Sequence, residues 1–208
     1  MARRDCIAAL AAFAAAGSAR AAAEPVILVL GDSLSAEYGL ARGSGWVTLL
    51  EQRLASEGIA ARVVNASVSG ETTSGGRARL AALLKTHRPT QVIIELGAND
   101  ALRGLPLQNT EDNLAWMVQQ AQAGGARVLL LGMQVPPNYG GDYGRRFSQV
   151  FENVAQRRKA ALVPFFLKGV ADAPDAARLF QSDRIHPTAQ AQPQMLANVW
   201  PELKKLLR

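Results

Sequence analysis

Short runs of apolar residues alternate with longer amphipathic stretches along the chain after residue 23. The apolar runs have the length and the Val, Ile and Leu content typical of buried strands, whereas the stretches between them repeat apolar positions at helical spacing. The strands are predicted at residues 26–30, 61–65, 91–96, 127–132 and 162–166. The helices are predicted at residues 46–57, 75–86, 111–123, 145–160 and 192–207. This alternation predicts an α/β fold, a three-layer α/β/α sandwich of the flavodoxin-like kind around a five-stranded parallel sheet.

The loops that follow the strands carry most of the irregular chemistry of the chain. Right-handed crossover connections place the carboxyl ends of all parallel strands at one edge of the sheet. Four of the loops at that edge contain clusters of glycine, asparagine and proline, and they span residues 31–35, 66–73, 97–103 and 133–143. Ligands of such sheets bind at this edge, so we expect the functional site there.

The first 23 residues differ from the rest of the chain. Arg3 and Arg4 are followed by an apolar stretch over residues 7–16 and by small residues that end at Ala23. This order is typical of a secretory signal peptide, and it predicts cleavage after Ala23 and a periplasmic or secreted protein. A membrane anchor is the alternative, but about ten apolar residues fall short of the roughly 20 that span a bilayer. The arginine pair leaves the twin-arginine export route open.

Length and charge exclude several classes of protein. The remaining residues, 24–208, are enough for one domain with a substantial core, and no composition break marks a second one. Cys6 is the only cysteine and lies in the predicted leader, so the mature chain is expected to form no disulfide. The net charge of +6 is mild and scattered, which does not indicate a nucleic-acid partner. We expect a monomer with no stable membrane anchor.

Ser33 stands at the carboxyl end of the first apolar strand, where a serine hydroxyl can act as a nucleophile if a base accepts its proton. The chain has two histidines, and His186 is the better candidate because His87 ends a helix at the opposite edge of the sheet. Asp183 precedes His186 by about one turn and can hold the other ring nitrogen. Ser33, His186 and Asp183 form a candidate triad, although His186 before a proline is also consistent with a surface turn.

Acyl transfer by a serine also needs hydrogen-bond donors for the oxyanion that forms at the attacked carbonyl. Gly70 can present its backbone N–H without a side chain in the way, and Asn99 follows a strand directly with its amide available. Each of these loops alone is also ordinary turn chemistry. Together they would bring two donors to the edge that carries Ser33.

The segments that carry these residues resemble the SGNH, or GDSL-type, hydrolases. Residues 31–35 (GDSLS) resemble the first conserved block of that family, Gly70 the second, residues 97–100 (GAND) the third and residues 183–187 (DRIHP) the fifth. The blocks occur in family order, and the chain looks most like the periplasmic multifunctional branch with thioesterase, arylesterase and lysophospholipase activities. The resemblance implies the triad above, an oxyanion hole from the N–H groups of Ser33 and Gly70 with the Asn99 side chain, and no metal or cofactor.

An ester-hydrolysing site also needs an apolar groove for the acyl chain. The side chains expected to form its walls follow two of the strands, although leucines near a sheet edge are as often part of the core. They are Leu102, Leu105, Leu107, Val135, Pro136 and Tyr139, and Asp32 beside the nucleophile is expected to bind substrate as well. The expected substrates are small-molecule esters or thioesters with short to medium acyl chains or aryl groups.

Two other functions fit part of the pattern. A carbohydrate O-acetylesterase would use the same triad, but an aromatic content of 6% offers little material for the platforms that bind sugars. A non-catalytic exported domain could bind an anion at the glycine turns around residues 31–33 and 70. That second alternative assigns no role to Asp183 or His186.

Overall fold

The computed structural model describes residues 24–208, which form a parallel sheet covered by helices on both faces. The strands are β1 (Val26–Gly31), β2 (Arg62–Asn65), β3 (Gln91–Glu95), β4 (Arg127–Leu131) and β5 (Ala161–Val163). Their spatial order is β2-β1-β3-β4-β5, and all neighbouring pairs are parallel. This is the flavodoxin-like strand order, so the predicted fold class is confirmed. The predicted signal peptide, residues 1–23, lies outside the described residues.

The helices pack in two layers against the sheet. They are α1 (Trp46–Ser56), α2 (Thr73–His87), α3 (Ala98–Leu102), α4 (Leu107–Ala123), α5 (Gly141–Arg158), α6 (Ala176–Leu179) and α7 (Gln192–Leu206). One layer is the α1–α7 pair, and the other is formed by α2, α4 and α5. The central strands β1, β3 and β4 are buried on both faces by these layers, which explains their continuous apolar sequences.

Element boundaries differ from the sequence predictions where short-range patterns are weak. The last strand was predicted through residue 166 but ends at Val163, because Pro164 follows and has no N–H to donate. Helix α4 begins at Leu107, directly after Pro106, rather than at residue 111. The short helices α3 and α6 were not predicted, since neither is long enough to show a hydrophobic repeat.

The interior is a single apolar core whose largest fully buried side chains include Trp46, Phe147, Phe151 and Phe166. Trp46 of α1 meets Phe166 edge-to-face, with ring centroids 5.5 Å apart, and this contact ties the first helix to the segment after β5. Within residues 24–208, none of the helices combines the length and apolar character needed to cross a bilayer.

Gly132, directly after β4, allows the chain after β5 to approach closely. Its N–H donates to the Val163 carbonyl, and its own carbonyl accepts from the Phe166 N–H, both at 2.8 Å. A Cβ at this position would stand 2.4 Å from the backbone oxygen of Pro164. Backbone cannot yield as a flexible side chain can, so only glycine fits here.

We therefore expect Gly132→Ala to lower the free energy of unfolding by roughly 1–3 kcal/mol, the usual cost of overpacking. The matched control is Gly144→Ala in α5, where a Cβ would meet only Val135 Cγ2 at an ordinary 3.6 Å. That change should leave stability unaltered or raise it by about 0.5–1 kcal/mol. Denaturant unfolding measures both, and equal stabilities for the two variants would contradict the close contact at Gly132.

Candidate active site

Ser33 lies in a tight turn that begins where β1 ends. The N–H groups of Ser35 and Ala36 donate to the Asp32 carbonyl at 3.2 and 3.0 Å, and the Leu34 N–H donates to Asp32 Oδ1 at 3.0 Å. These bonds fold the backbone around Asp32 and leave Ser33 facing a cavity at the edge of the sheet. The nucleophile candidate is therefore held by main-chain hydrogen bonds rather than by its own side chain.

Ser33, His186 and Asp183 form one chain of hydrogen bonds. His186 Nε2 lies 2.9 Å from Ser33 Oγ, and His186 Nδ1 lies 2.7 Å from Asp183 Oδ2. The other carboxylate oxygen of Asp183 accepts from the N–H groups of Ile185 and His186 at 2.9 and 3.0 Å. Arg184 adopts a left-handed φ of 59°, which closes the tight turn over this carboxylate.

The backbone N–H of His186, its ring and the Ile185 N–H lower the pKa of Asp183 to about 2. An ionised carboxylate only accepts hydrogen bonds, so His186 Nδ1 carries a hydrogen and donates it. His186 Nε2 is then the lone-pair nitrogen, and it can accept a proton from Ser33. The geometry is that of a hydroxyl, a general base and a carboxylate that orients the base.

Two residues that the sequence did not indicate hold the histidine. The Tyr38 ring packs against the His186 ring with centroids 4.3 Å apart. Gln181 donates its N–H to the His186 carbonyl at 2.8 Å, and its side-chain amide donates to the carbonyls of Tyr38 and Pro187. No sequence pattern marks either residue, because both contacts depend on how the last segment docks against the loop after β1.

His87, the alternative base, is the last residue of α2, which leads back to the amino end of β3. It is therefore at the opposite edge of the sheet from Ser33. The sequence-based preference for His186 agrees with this placement.

The oxyanion-donor candidates come from the loops after β2 and β3. Gly70 has a φ of 76°, in the left-handed region, and its carbonyl accepts from Arg103 Nη2 at 2.8 Å. Asn99 Nδ2 donates to Asp32 Oδ2 and to the Glu71 carbonyl, both at 3.0 Å. Gly97, with a φ of 120°, turns the chain so that Asn99 reaches Asp32. The amide of Asn99 thus lies between the Ser33 turn and the Gly70 loop.

Asp32, which was expected to bind substrate, turns inward. It borders the cavity but is only 1% exposed, and its two carboxylate oxygens are occupied by the Leu34 N–H and the Asn99 amide. Its side chain supports the two loops, and a direct contact between Asp32 and substrate stays a prediction. Burial raises the pKa of Asp32 to about 6 against these hydrogen bonds, which lower it.

Glu95, the last residue of β3, is the site's other buried carboxyl and was missed in the sequence. It is fully buried, and its Oε2 accepts from Ser35 Oγ at 2.8 Å and from the Asp32 N–H at 3.2 Å. Burial and the neighbouring Asp32 charge hold the pKa of Glu95 well above its ordinary value. A lone acidic residue closing an apolar strand was the signal that could have identified it.

The cavity beside Ser33 has a volume of about 570 Å³ and a mainly apolar lining. Of the predicted groove residues, Leu102, Val135 and Pro136 line it. The other three do not: Leu105 is exposed, Leu107 packs against the core, and Tyr139 stacks on Tyr143. The segment after β5 supplies the wall that sequence reasoning missed. Its apolar members are Phe165, Leu167, Ala171, Phe180 and Ile185.

The sequence is similar to those of bacterial ester hydrolases. It is 55% identical to esterase TesA of Pseudomonas aeruginosa over 186 residues, which are 89% of this chain and 91% of that protein. It is 43% identical to thioesterase 1/protease 1/lysophospholipase L1 of Escherichia coli K12 over 174 residues, 84% of this chain and 81% of that protein.

The fold is likewise similar to a solved esterase. The crystal structure of the psychrotrophic esterase EstA from a Pseudoalteromonas species, inhibited by monoethylphosphonate, superposes with a TM-score of 0.82 at 41% identity. The match covers 88% of this chain and 99% of that structure. Residues 29–192 match the GDSL-like lipase/acylhydrolase family, and this span holds every candidate catalytic residue. The chain belongs to that family and is an enzyme that hydrolyses ester bonds.

Proposed function

We propose that the enzyme hydrolyses carboxylic esters and thioesters with Ser33 as nucleophile, His186 as general base and Asp183 as the residue that orients the base. The observation that carries this proposal is the unbroken chain of hydrogen bonds from Ser33 Oγ through His186 to Asp183, at the mouth of an apolar cavity. These hydrogen bonds connect Ser33 to a turn that holds Asp183 and His186, the histidine being 153 positions further along the sequence, and few arrangements other than covalent catalysis require such a connection.

In the first half of the reaction, Ser33 Oγ attacks the substrate carbonyl while its proton passes to His186 Nε2. The imidazolium that forms is stabilised by ionised Asp183 and then protonates the leaving alcohol or thiol. An acyl group remains on Ser33. In the second half, His186 removes a proton from water, the water attacks the acyl carbonyl, and the acid leaves as His186 returns the proton to Ser33.

The oxyanion of each tetrahedral intermediate is bound by the backbone N–H groups of Ser33 and Gly70 and by the Asn99 amide. Both hydrogens of Asn99 Nδ2 are engaged in the free enzyme, one by Asp32 and one by the Glu71 carbonyl. The bond to Asp32 is the stronger of the two when Asp32 is ionised, because charge-assisted bonds exceed neutral ones. The oxyanion therefore competes with the Glu71 carbonyl for the second hydrogen of Asn99 Nδ2.

The cavity favours acyl or aryl groups over sugars as the bound part of the substrate. Its walls are mainly aliphatic residues, prolines and phenylalanines, with polar side chains such as Gln134, Asp172 and Arg184 among them, and its volume of about 570 Å³ accommodates a short to medium chain. Acyl-CoA and lysophospholipids are further substrates in this proposal, in line with the thioesterase and lysophospholipase in the name of the Escherichia coli relative. We propose that the enzyme acts as a monomer.

Ser33→Ala should abolish hydrolysis of p-nitrophenyl esters, with a fall in kcat of roughly 10⁴-fold or more, because no other group replaces the nucleophile. Ser56→Ala, at the end of α1 and away from the site, is the matched control and should retain full activity. Activity across acetate, butyrate, octanoate and palmitate should peak at short or medium chains. Activity that survives in Ser33→Ala would refute the nucleophile, and activity confined to acetate would refute the acyl cavity.

Asp183→Asn should lower kcat/KM by roughly 10³- to 10⁴-fold, since an amide neither fixes the histidine tautomer nor stabilises the imidazolium. The pKa of Asp183 is lowered to about 2, so its carboxylate stays charged as pH falls and becomes protonated only near pH 2. The loss should therefore be compared on the pH-independent plateau of each pH–rate profile, where the ratio of wild-type to variant activity should not change with pH. A loss of less than about tenfold on that plateau would contradict the role of Asp183.

We also propose that residues 1–23 are a secretory signal peptide and that the mature enzyme, residues 24–208, is periplasmic or secreted. The intact mass of the exported protein should correspond to a chain that begins at Glu24. Ala23→Glu should block processing, because signal peptidases require a small residue before the cut. An unprocessed wild-type chain that remains in the cytoplasm would refute the leader.

A further inference from the structure

Two carboxyl groups meet beneath the Ser33 turn, and the proposed mechanism uses neither of them to touch substrate. Asp32 is 1% exposed and Glu95 is 0% exposed, and the Glu95 carboxyl accepts a hydrogen bond from the Asp32 N–H at 3.2 Å. Gly31 and Glu95 are paired in the sheet register of β1 and β3, which fixes the separation of the two carboxyls. The contact is therefore part of the fold and not a chance approach of flexible side chains.

The hydrogen-bond donors around Asp32 and Glu95 are too few to stabilise a negative charge on both carboxyl groups. Glu95 Oε2 accepts hydrogen bonds from Ser35 Oγ and from the Asp32 N–H, whereas Glu95 Oε1 is buried with no donor among residues 24–208. Within the part of the chain that the structure describes, His186 is the other titratable group whose charge acts on the pair, and it acts on Asp32. A buried carboxylate oxygen without a donor is costly, and two adjacent buried carboxylates rarely both ionise. One proton on the pair removes both costs.

The surroundings decide which carboxyl carries that proton. Asp32 accepts from the Leu34 N–H and from the Asn99 amide, with one donor for each of its oxygens, so its charged form is well solvated by the protein. Glu95 has one oxygen with no donor. Burial raises the pKa of Asp32 to about 6, and burial together with the neighbouring Asp32 charge holds the pKa of Glu95 well above its ordinary value. The proton therefore belongs on Glu95.

We propose that Glu95 is a positioning residue that stays protonated at neutral pH, shares its hydrogen with Asp32 and so keeps Asp32 as the anion that orients the Asn99 amide. This inference rests on the proposed function, because it gives Asn99 the role of oxyanion donor. Neither carboxyl touches substrate. Their effect on the reaction passes through Asn99 and through the turn that carries Ser33.

Sharing one proton has two consequences for the reaction. Asp32 holds one hydrogen of Asn99 Nδ2 by a charge-assisted bond, which aims the other hydrogen at the position now taken by the Glu71 carbonyl. The pair also carries one negative charge instead of two next to the developing oxyanion. A second charge at that distance would repel the oxyanion and weaken transition-state binding.

Infrared spectroscopy in D₂O tests the protonation state without any need for activity. The wild-type protein at neutral pH should show the C=O band of a buried, protonated carboxylic acid, and Glu95→Gln should lack it. Glu152→Gln, an exposed position on α5, is the matched control and should keep the band. If Glu95→Gln does not fold, ¹³C-glutamate labelling of the wild-type protein should shift the band. No such band at neutral pH, or one that does not respond to these changes, would overturn the proposal.

Kinetics tests the positioning role. Glutamine can still donate to Asp32 and accept from Ser35, so Glu95→Gln should lose less than about tenfold in kcat. Glu95→Leu and Asp32→Asn should each lose on the order of 10²-fold in kcat with little change in KM, similar to the loss of one oxyanion donor. Asp32→Asn combined with Asn99→Ala should lose little more than Asn99→Ala alone. Additive losses, or a Glu95→Gln variant as poor as Glu95→Leu, would overturn the role.

The two proposals fail in different ways. If Ser33→Ala retains activity, the proposed function fails while the infrared result still reports on Glu95. If Ser33→Ala is inactive and the carboxylic acid band is missing, the proposed function stands and the inference about Glu95 is wrong.

Discussion

The side chains of Glu95 and Ser35 pack closely over Gly31 at the end of β1, and the geometry of the site depends on this contact. A Cβ on Gly31 would stand 2.8 Å from both Glu95 Oε2 and Ser35 Oγ. Because Gly31 has none, the Glu95 side chain can reach across and accept from the first residues of the turn. Glu95 thus binds the residues on both sides of Ser33, Asp32 and Ser35, to the neighbouring strand. The position of the nucleophile is therefore as rigid as the sheet.

The other half of the site is held in a different way. His186 belongs to the long segment between β5 and α7, which contains only short helical turns. A single bridge between Phe180 and Pro187, the Gln181 hydrogen bonds and the Tyr38 ring fix it in place. The base is therefore attached to the nucleophile by side-chain and loop contacts, which open locally at lower free energy than a central strand does. The hydrogen bond to Ser33 joins a rigid half of the site to a more easily opened one.

Much of this architecture could be predicted from local sequence. The apolar runs identified all five strands, most clearly β1, β3 and β4, which are buried on both faces, and Ser33 stood out because its strand stops at a glycine. Residues whose role depends on distant partners could not be found in that way. Tyr38 and Gln181 act on a histidine far along the chain, and the second cavity wall, around Phe180, comes from a segment without periodicity. The contacts of Asp32 with Leu34 and Asn99 could not be predicted either, because its position beside Ser33 does not show which way its side chain turns. The non-catalytic alternative is excluded by membership in an enzyme family.

The two walls of the cavity differ in what else they carry. The wall that includes Val135 and Pro136 contains none of the residues proposed to react, whereas Ile185 on the opposite wall stands between Asp183 and His186. Mutations in the first wall can alter the size of the accepted acyl group while the reacting groups keep their positions. Mutations at Ile185 alter specificity and the general base together. During evolution, substrate preference can therefore change through the wall with Val135 and Pro136, whereas changes at Ile185 are constrained by catalysis.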